Sequence, residues 1–335
     1  MKKLNFAIIG TGHIAHVHAE SIKKIKDAEL VAVRSRDIER AKNFARKYGA
    51  EAFTDYNKLL KNGNIDVVDI VNENYLHADH GIKAAKSSKH VIVEKPIDIS
   101  IKKAEKLIEV CKKMGVKLSV ISQYRYNENI RRVKKAIDSG MFGRLMLMNV
   151  LVRWYRPKEY YMKEWRCKSR FAGGGALLIQ AIHHVDIMRW LMGPAKSVIG
   201  VIGTLKHKIE VEDLGIGTIN FVNGAIGNIV ATTISNKNMK DRFEIYGDRG
   251  SVILEGTKIL EWNMGGGKIK TGVISKVHSM KALKKGTIKD QIQDYVQSIN
   301  KDEEVKISGE DGLNSLRVVK AIYNSSKTGK EVKIK

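Results

Sequence analysis

Between residues 4 and 121 the chain alternates short apolar runs with amphipathic segments, and this alternation limits the possible folds more than any other feature. The apolar runs have the length and composition of buried strands, and the segments between them have helical periodicity. The predicted strands are LNFAIIG (4–10), ELVAVR (29–34), DVVDIV (66–71), HVIVEK (90–95) and KLSVIS (117–122), and the predicted helices lie near 14–25, 38–48, 76–87 and 100–114. Strands that alternate with helices in this way predict a parallel, doubly wound sheet.

The pattern changes after residue 122. A helix near 127–139, a strand at 145–154 and a long helix near 174–192 precede a series of strands with hairpin signals, such as FVNGAIG and YGDRGSV. The further predicted strands are 197–204, 214–222, 224–233, 241–247 and 251–256, followed by helices near 287–300 and 309–327. A chain of 335 residues usually forms two domains. We therefore predict an α/β protein with a parallel-sheet domain at 1–121 and an α+β domain at 122–335, which has an open, mostly antiparallel sheet.

The formal charge of +24 raises the question of nucleic-acid binding, because clustered Lys and Arg neutralise phosphates. The lysines, however, are spread through nearly every predicted helix and alternate with Glu, as in IKKAEKLIEVCKK (101–113), and no recognition motif accompanies them. This distribution favours a lysine-rich solvated surface, which would also attract an anionic small substrate. Nucleic acid is not an expected partner.

Cys111 and Cys167 are the two cysteines, and they lie far apart and outside any metal-like spacing, which argues against a disulfide framework and a zinc site. No stretch of the sequence approaches the length of a transmembrane helix. We expect a cytoplasmic protein with no membrane partner and no metal.

The stretch AIIGTGHIAHVHAE (7–20) contains Gly10-x-Gly12-x-x-Ala15 directly after the first strand and at the start of a helix. Gly10 permits a tight turn, and Gly12 lets the backbone approach a pyrophosphate at the helix N-terminus. This arrangement is typical of a Rossmann dinucleotide-binding domain. The predicted cofactor contacts of this turn are Gly10, Thr11, Gly12, His13 and Ile14.

The second strand ends in Arg34-Ser35-Arg36, where an NAD-binding domain usually carries an acid for the ribose 2′-hydroxyl. Asp37 follows too late for that role and is predicted to cap the next helix. A missing acid with added arginines favours NADP over NAD, with Ser35 and Arg36 as contacts. The alternative is that these arginines belong to the basic surface.

Four stretches together resemble the Gfo/Idh/MocA family of sugar oxidoreductases: the Gly10-Thr11-Gly12 turn, 72–96 with its Glu-Lys-Pro, 171–193 with its Gly-Gly-Gly, and FEIYGDRGSVIL (243–254). The resemblance covers essentially the whole chain. It implies an NAD(P)-dependent dehydrogenase or reductase of CH–OH groups, with the second domain binding substrate and its open sheet forming a homodimer or homotetramer. RWYRPKEYYMKEWR (153–166) is most like members that act on nucleotide-linked sugars, of the UDP-N-acetylglucosamine 3-dehydrogenase type.

Glu94, Lys95 and Pro96 follow the strand HVIV, and charged residues at the carboxyl end of a parallel strand lie at the ligand crevice. By the resemblance, Lys95 contacts cofactor and substrate and stabilises the developing charge on the reacting oxygen. Glu94 would hold the ammonium group and line the cofactor pocket. Pro96 would fix the backbone through a cis bond.

The resemblance assigns the proton acceptor to His183, since histidine is suited to act as a general base at neutral pH. The alternative is a buried histidine that only packs. His184 is expected to point elsewhere, because adjacent helical residues do not share a face. Asp186 would orient the imidazole of His183, or would bond to neighbouring backbone or an arginine.

Ile179 is a departure from the family pattern, because most relatives carry Asp or Asn four residues before the histidine. Either the substrate presents an apolar or differently placed group, or Gln180 substitutes for the missing polar side chain through a local shift, or activity is impaired. The predicted substrate contacts are Lys95, Arg125, Tyr155, Ile179, Gln180 and His183.

The resemblance supplies the remaining cofactor contacts, with Asn72-Glu73-Asn74 replacing the usual Thr-Pro-Asn after the fourth strand. His77 opens the next helix and is alternatively only a capping residue. Tyr155, Tyr160 and Tyr161 suit stacking on a sugar or uracil ring, or packing on the sheet. These further predicted cofactor contacts are Asn72, Asn74, His77, Glu94, Lys95, Gln123, Trp165 and Arg166.

A non-catalytic NAD(P)-binding sensor of the same fold is the alternative function. Ile179 favours it, whereas Lys95 and His183 argue for an enzyme.

Overall fold

The computed structural model describes residues 2–264 and 287–334. The chain divides into two compact units, the first formed by 1–123 with 287–316 and the second by 124–286 with 317–335. None of the helices in the described ranges is both long enough and apolar enough to cross a membrane.

The first unit contains a six-stranded sheet in the order β3-β2-β1-β4-β5-β6, with every pair parallel. Its strands are β1 Leu4–Ile9, β2 Ala28–Arg34, β3 Glu51–Phe53, β4 Val67–Ile70, β5 His90–Val93 and β6 Leu118–Val120. Its first helices are α1 His13–Lys23, α2 Ile38–Tyr48, α3 Tyr56–Leu60, α4 His77–Lys86 and α5 Ile101–Lys113. The predicted parallel, doubly wound sheet is confirmed, and the short β3 and α3 were not predicted.

The second unit contains an eight-stranded sheet in the order β13-β12-β11-β7-β10-β9-β8-β14, in which β7 and β10 are parallel and the other pairs antiparallel. Its helices are α6 Glu128–Asp138, α7 Glu164–Cys167, α8 Ser169–Ala172 and α9 Ile182–Met192. Its strands are β7 Leu145–Arg153, β8 Ala195–Gly203, β9 Leu214–Phe221, β10 Ile226–Thr232, β11 Arg242–Gly247, β12 Gly250–Glu255, β13 Lys258–Met264 and β14 Val332–Lys333. The predicted mostly antiparallel sheet is confirmed.

One face of this sheet is buried and the other is open. Strand residues alternate between the two faces, as expected for a sheet with one covered side. On the open face Ile199, Val201 and Ile216 are 54%, 65% and 42% exposed. The predicted association of subunits through this face stays a prediction.

Two helices follow the second unit's long sheet, α10 Ile288–Asn300 and α11 Gly309–Thr328. Residues 287–316 belong to the first unit, although the predicted boundary had placed them in the second domain, 122–335. Ile292 and Tyr295 of α10 join the apolar core that contains α1 and β1. The side chain of Gln291 accepts the Ser122 N–H (2.8 Å) and donates to the Val120 carbonyl (2.8 Å), so α10 also closes the free edge of β6.

The long helix predicted near 174–192 is wrong in one respect, because the structure divides it. Ala176–Gln180 form a π-helix, and α9 begins only at Ile182. The physical reason lies in the glycines before this segment, which are described with the site.

Candidate active site

The glycine turn after β1 is shaped by close backbone packing on one side and open space on the other. Gly10 has φ +121°, and a Cβ there would lie 3.0 Å from the Val71 carbonyl oxygen and 3.1 Å from the Asn72 nitrogen. A Cβ on Gly12, at the start of α1, would meet no atom within 4 Å. Gly10 therefore permits the positive φ and the close backbone approach that the turn needs, and the space beside Gly12 at the N-terminus of α1 is open.

The start of α1 has no side-chain cap and no acidic residue in its first turn, a property that it shares with α8 and α9. By contrast, Asp37, Asp55, Ser100, Asn127 and Thr287 cap α2, α3, α5, α6 and α10. The uncapped N–H groups and the helix dipole favour an anion at this position. The open space and the free helix start both fit the pyrophosphate of a dinucleotide, with the predicted Thr11, His13 and Ile14 flanking it.

The residues after β2 are all engaged by the protein. Asp37 accepts the N–H groups of Glu39 (2.9 Å) and Arg40 (3.1 Å), which confirms its predicted capping role. Ser35 accepts a hydrogen bond from the Thr11 hydroxyl in the glycine turn (3.3 Å). Arg36 forms an ion pair with Glu73, which follows β4.

His77 is more than a capping residue. Its ring is fully buried, with Nδ1 2.7 Å from the Pro96 carbonyl oxygen and Nε2 3.1 Å from the Asn72 carbonyl oxygen. It thus ties together the segments that follow β4 and β5. Asn74, which lies three positions before His77 and was also predicted to contact the cofactor, is buried as well.

In the Asn72 side chain, the amide nitrogen has a hydrogen-bond partner among the described residues, and the amide oxygen has none there. Its Nδ2 lies 3.0 Å from His80 Nδ1. Burial, followed by the nearby Arg34, lowers the pKa of His80 to about 4, so the ring accepts this hydrogen bond at neutral pH. Asn72 Oδ1 is buried and has no partner within the described ranges, which leaves one acceptor for a ligand donor.

The segment after β5 carries the Glu-Lys-Pro sequence, and the Lys95–Pro96 bond is cis, as predicted. Glu94 is buried and accepts the backbone N–H of Lys95 through Oε2 (2.9 Å). Its other oxygen lies 3.2 Å from His18 Nε2. Glu94 is therefore held from two sides, and it fixes the backbone at Lys95.

His18 and Asp69 form a buried pair behind Glu94, and this pair was not predicted from the sequence. His18 Nδ1 lies 2.7 Å from Asp69 Oδ2, and both side chains are fully buried. Burial by itself lowers the pKa of His18, but Asp69 and Glu94 outweigh burial and raise it to about 10. Burial raises the pKa of Asp69, with His18 opposing that effect. A signal was present, since Asp69 interrupts the apolar strand VVDIV and His18 lies on the apolar face of α1.

In the second unit, the Gly-Gly-Gly sequence permits close packing that anchors the segment leading to His183. A Cβ on Gly174 would lie 2.1 Å from the Tyr323 hydroxyl, and one on Gly175 would lie 1.9 Å from the Glu212 carbonyl oxygen. The Glu212 carboxylate accepts the N–H groups of Gly175 (2.7 Å) and Leu177 (2.9 Å) and the Tyr323 hydroxyl (2.7 Å). Burial raises the pKa of Glu212. This carboxylate fixes the π-helix, and nothing near the glycines in sequence signals it.

His183 lies on α9, and its ring stacks on Tyr124 with centroids 5.1 Å apart. His184 points elsewhere, as predicted: its Nε2 lies 2.8 Å from Asp241 Oδ2, and its ring stacks on Phe243. Lys95 belongs to the first unit and His183 to the second.

Asp186 bonds to an arginine, one of the alternatives in the sequence analysis. Both its oxygens accept from Arg125, at 2.8 Å from Nε and 2.6 Å from Nη2, and both side chains are buried. The predicted contact of Arg125 with the substrate stays a prediction.

Two guanidinium groups and three aromatic rings form an arginine–aromatic cluster in the second unit. Arg156 lies over the rings of Trp154 (5.0 Å) and Tyr160 (5.5 Å), and Arg166 lies over the rings of Tyr160 (4.1 Å) and Trp165 (4.7 Å). Gln180 links its members, accepting from Arg156 (3.0 Å) and donating to the Tyr160 hydroxyl (2.8 Å). Arg166 Nε is buried without an acceptor among the described residues. The arrangement presents two cations beside rings that can stack.

Other predicted contacts have varied surroundings. Tyr155 is 36% exposed, with Lys206 over its ring, whereas Tyr161 is buried and donates to the Thr233 hydroxyl (2.8 Å). Ile179 is partly exposed in the π-helix. Gln123 Oε1 is buried without a partner in the described part of the chain.

Two family models match the chain. Residues 4–122 match the oxidoreductase family with an NAD-binding Rossmann fold, and residues 130–253 match the GFO/IDH/MocA C-terminal domain.

Solved structures and curated proteins resemble the chain over its whole length. The WlbA dehydrogenase of Bordetella pertussis, in complex with NADH and UDP-GlcNAcA, is 30% identical, with a TM-score of 0.90 and coverage of 100% of this chain and 99% of that one. The WlbA dehydrogenase of Chromobacterium violaceum, with the same two ligands, is 29% identical, with a TM-score of 0.91 and coverage of 100% and 97%. The myo-inositol 2-dehydrogenase of Thermotoga maritima is 25% identical over 99% of this chain and 98% of that protein.

Proposed function

Because the chain belongs to the Gfo/Idh/MocA family of oxidoreductases, we propose that it transfers a hydride between NAD and a secondary alcohol of a nucleotide-linked sugar. The coarser activity, an NAD-binding oxidoreductase of CH–OH groups in sugars or polyols, follows from the family and from its named dehydrogenases. The family description names NAD and the WlbA structures contain NADH, and the preference for NADP that was drawn from the sequence stays a prediction.

The arginine–aromatic cluster is the observation that carries the choice of a nucleotide-linked sugar. Guanidinium groups bind phosphate oxygens with a matched fork of donors, and aromatic rings stack on a base or a sugar. Arg166 Nε is a buried donor that lacks an acceptor, which fits an anionic oxygen of a sugar diphosphate or, as predicted from sequence, of the cofactor. An uncharged polyol such as inositol offers nothing for these cations to neutralise.

The proposed roles of the other residues follow from their chemistry. The bound dinucleotide accepts the hydride. Lys95 donates a hydrogen bond to the reacting oxygen and stabilises its negative charge, while His183 takes the hydroxyl proton. Glu94, held by His18, fixes the backbone of Lys95.

The test of the substrate class compares UDP-N-acetylglucosamine and UDP-GlcNAcA with myo-inositol, following NADH absorbance. We expect turnover with a nucleotide sugar and none with the polyol. Arg156→Gln should raise KM for the nucleotide sugar about tenfold or more, since a hydrogen bond to a charged group contributes about 1.5–3 kcal/mol, and should leave the Kd for NADH unchanged. Arg170→Gln is the matched control, because Arg170 pairs with Glu164 at the surface (2.9 Å). Equal turnover of inositol, or an unchanged KM in Arg156→Gln, would contradict the substrate class.

The test of the catalytic role uses Lys95→Ala. Turnover should be abolished while NADH still binds, and Lys86→Ala, at the end of α4, should behave as wild type. Wild-type rates in Lys95→Ala would remove Lys95 from the mechanism. No contact in the described ranges and none of the comparisons favours the non-catalytic sensor.

A further inference from the structure

The carboxylate that an NAD site usually carries at the end of β2 is absent from that strand, and another carboxylate, that of Glu73, pairs with the arginine found there. Arg36, the exposed residue after β2, is paired with Glu73, which follows β4. In the sheet order β2-β1-β4, these two strands flank β1. The pair therefore spans the carboxyl end of β1, where the glycine turn begins.

The same turn is contacted from both of these neighbours. Thr11 donates to Ser35 on the β2 side, and Gly10 packs against Val71 and Asn72 on the β4 side. In a domain of this type, the adenosine ribose lies beside this turn at the end of β2. Glu73, through its contact with Arg36, thus borders the same turn from the β4 side.

The neighbouring side chains are committed to other partners. Asp37 caps α2, and Arg34 donates through Nε to the Thr54 carbonyl (2.9 Å). Arg36 uses one carboxylate oxygen of Glu73, Oε1, and a carboxylate accepts up to about four hydrogen bonds. The carboxylate therefore has capacity for a ribose hydroxyl, while Arg36 is already paired.

We propose that Glu73 selects NAD over NADP, by accepting a hydrogen bond from the adenosine ribose and by occupying Arg36. This inference rests on the dinucleotide site of the proposed function. A 2′-phosphate would meet the Glu73 carboxylate and would compete with it for Arg36, so it is repelled even though two arginines surround it. The arginines after β2, which favoured NADP in the sequence, therefore no longer indicate a site for a 2′-phosphate, because Arg36 is paired with Glu73.

The test measures binding by nucleotide fluorescence, with nucleotide-free protein titrated with NADH and with NADPH. Wild type should bind NADH more tightly. Glu73→Gln should weaken NADH binding about tenfold and tighten NADPH binding about tenfold, because one charge-assisted hydrogen bond is lost and Arg36 is released to a phosphate. Glu73→Asp, which keeps the charge, should retain the preference for NADH.

Two further variants isolate the pair. Arg36→Gln added to Glu73→Gln should remove the gain in NADPH affinity. Glu39→Gln, which deletes an exposed carboxylate paired with Lys42, should leave the ratio of the two Kd values unchanged. Tighter binding of NADPH than NADH by wild type, or an unchanged ratio in Glu73→Gln, would overturn the role of Glu73 while leaving the dinucleotide site intact. Failure of wild type to bind either nucleotide would overturn both this inference and the proposed function.

Discussion

The buried pair of His18 and Asp69 should give the first unit a distinctive dependence of stability on pH. His18 has a pKa of about 10 in the folded chain, against 6.5 for an ordinary histidine. The folded state therefore binds this proton more tightly than the unfolded state. The sign follows: the stabilisation is fully present below about pH 6.5 and is lost as the pH rises towards 10.

The magnitude comes from the size of the pKa difference. One pKa unit corresponds to about 1.4 kcal/mol, so the free energy of unfolding should fall by about 3 kcal/mol between about pH 6 and pH 9. The informative variant is His18→Gln with Asp69→Asn, which replaces the pair by two neutral amides. Either single change would leave a buried charge without its partner, at a cost of about 3–5 kcal/mol, and would mix two effects.

Urea unfolding followed by pulsed hydrogen exchange and mass spectrometry measures this quantity on peptides from β1 and β4. We expect wild type to lose about 3 kcal/mol relative to the double variant between about pH 6 and pH 9. His13→Gln, an exposed change on the same helix, should follow wild type. The same free-energy difference between wild type and the double variant at both pH values would show that the pair holds no extra proton, and would refute the reasoning.

Two further predictions concern the second unit. Gly175→Ala should lower the unfolding free energy of this unit by about 3 kcal/mol, because the new Cβ would lie 1.9 Å from the backbone oxygen of Glu212. Gly63→Ala is the control, since a Cβ there would meet no atom within 4 Å. Equal melting temperatures of the two variants would contradict the close packing at Gly175. Arg125→Ala should lower the free energy of unfolding by about 3–5 kcal/mol, since it leaves the buried Asp186 without this partner. Denaturation followed by tryptophan fluorescence measures this loss. A loss below about 1 kcal/mol would mean that the pair contributes no more than an exposed ion pair.

The alternation of strands and helices was predictable because each element shows its own periodicity. Helix α2 illustrates this, since its observed bounds, Ile38–Tyr48, equal the predicted ones and Asp37 caps it as expected. The π-helix was not predictable, because its cause is packing against residues far along the chain. Glu212 lies 37 positions from Gly175, and no local pattern announces that contact.

The candidate site was likewise predictable only where a short local motif determines the structure. The glycine turn and the cis bond before Pro96 follow from short motifs, and the structure contains both. The charges around them depend on pairing between strands: the partner of Arg36 is 37 residues away and that of His18 is 51 residues away. The preference for NADP was drawn from Arg36 without knowledge of its pairing with Glu73, and this pair is the basis of the proposed preference for NAD.

The return of α10 to the first unit has a consequence for how the chain is made. The ribosome finishes β6 at residue 120, but Gln291 and Tyr295, which cover the edge of β6 and complete the core, come after the whole segment 124–286. At typical rates of synthesis this delay is on the order of 10 seconds. During that time the nucleotide-binding domain exposes the outer edge of β6 and the apolar surface that α10 later covers. The N-terminal half of the newborn chain therefore needs protection from aggregation until its last helices emerge, and residues 1–123 expressed alone would keep that exposed edge permanently.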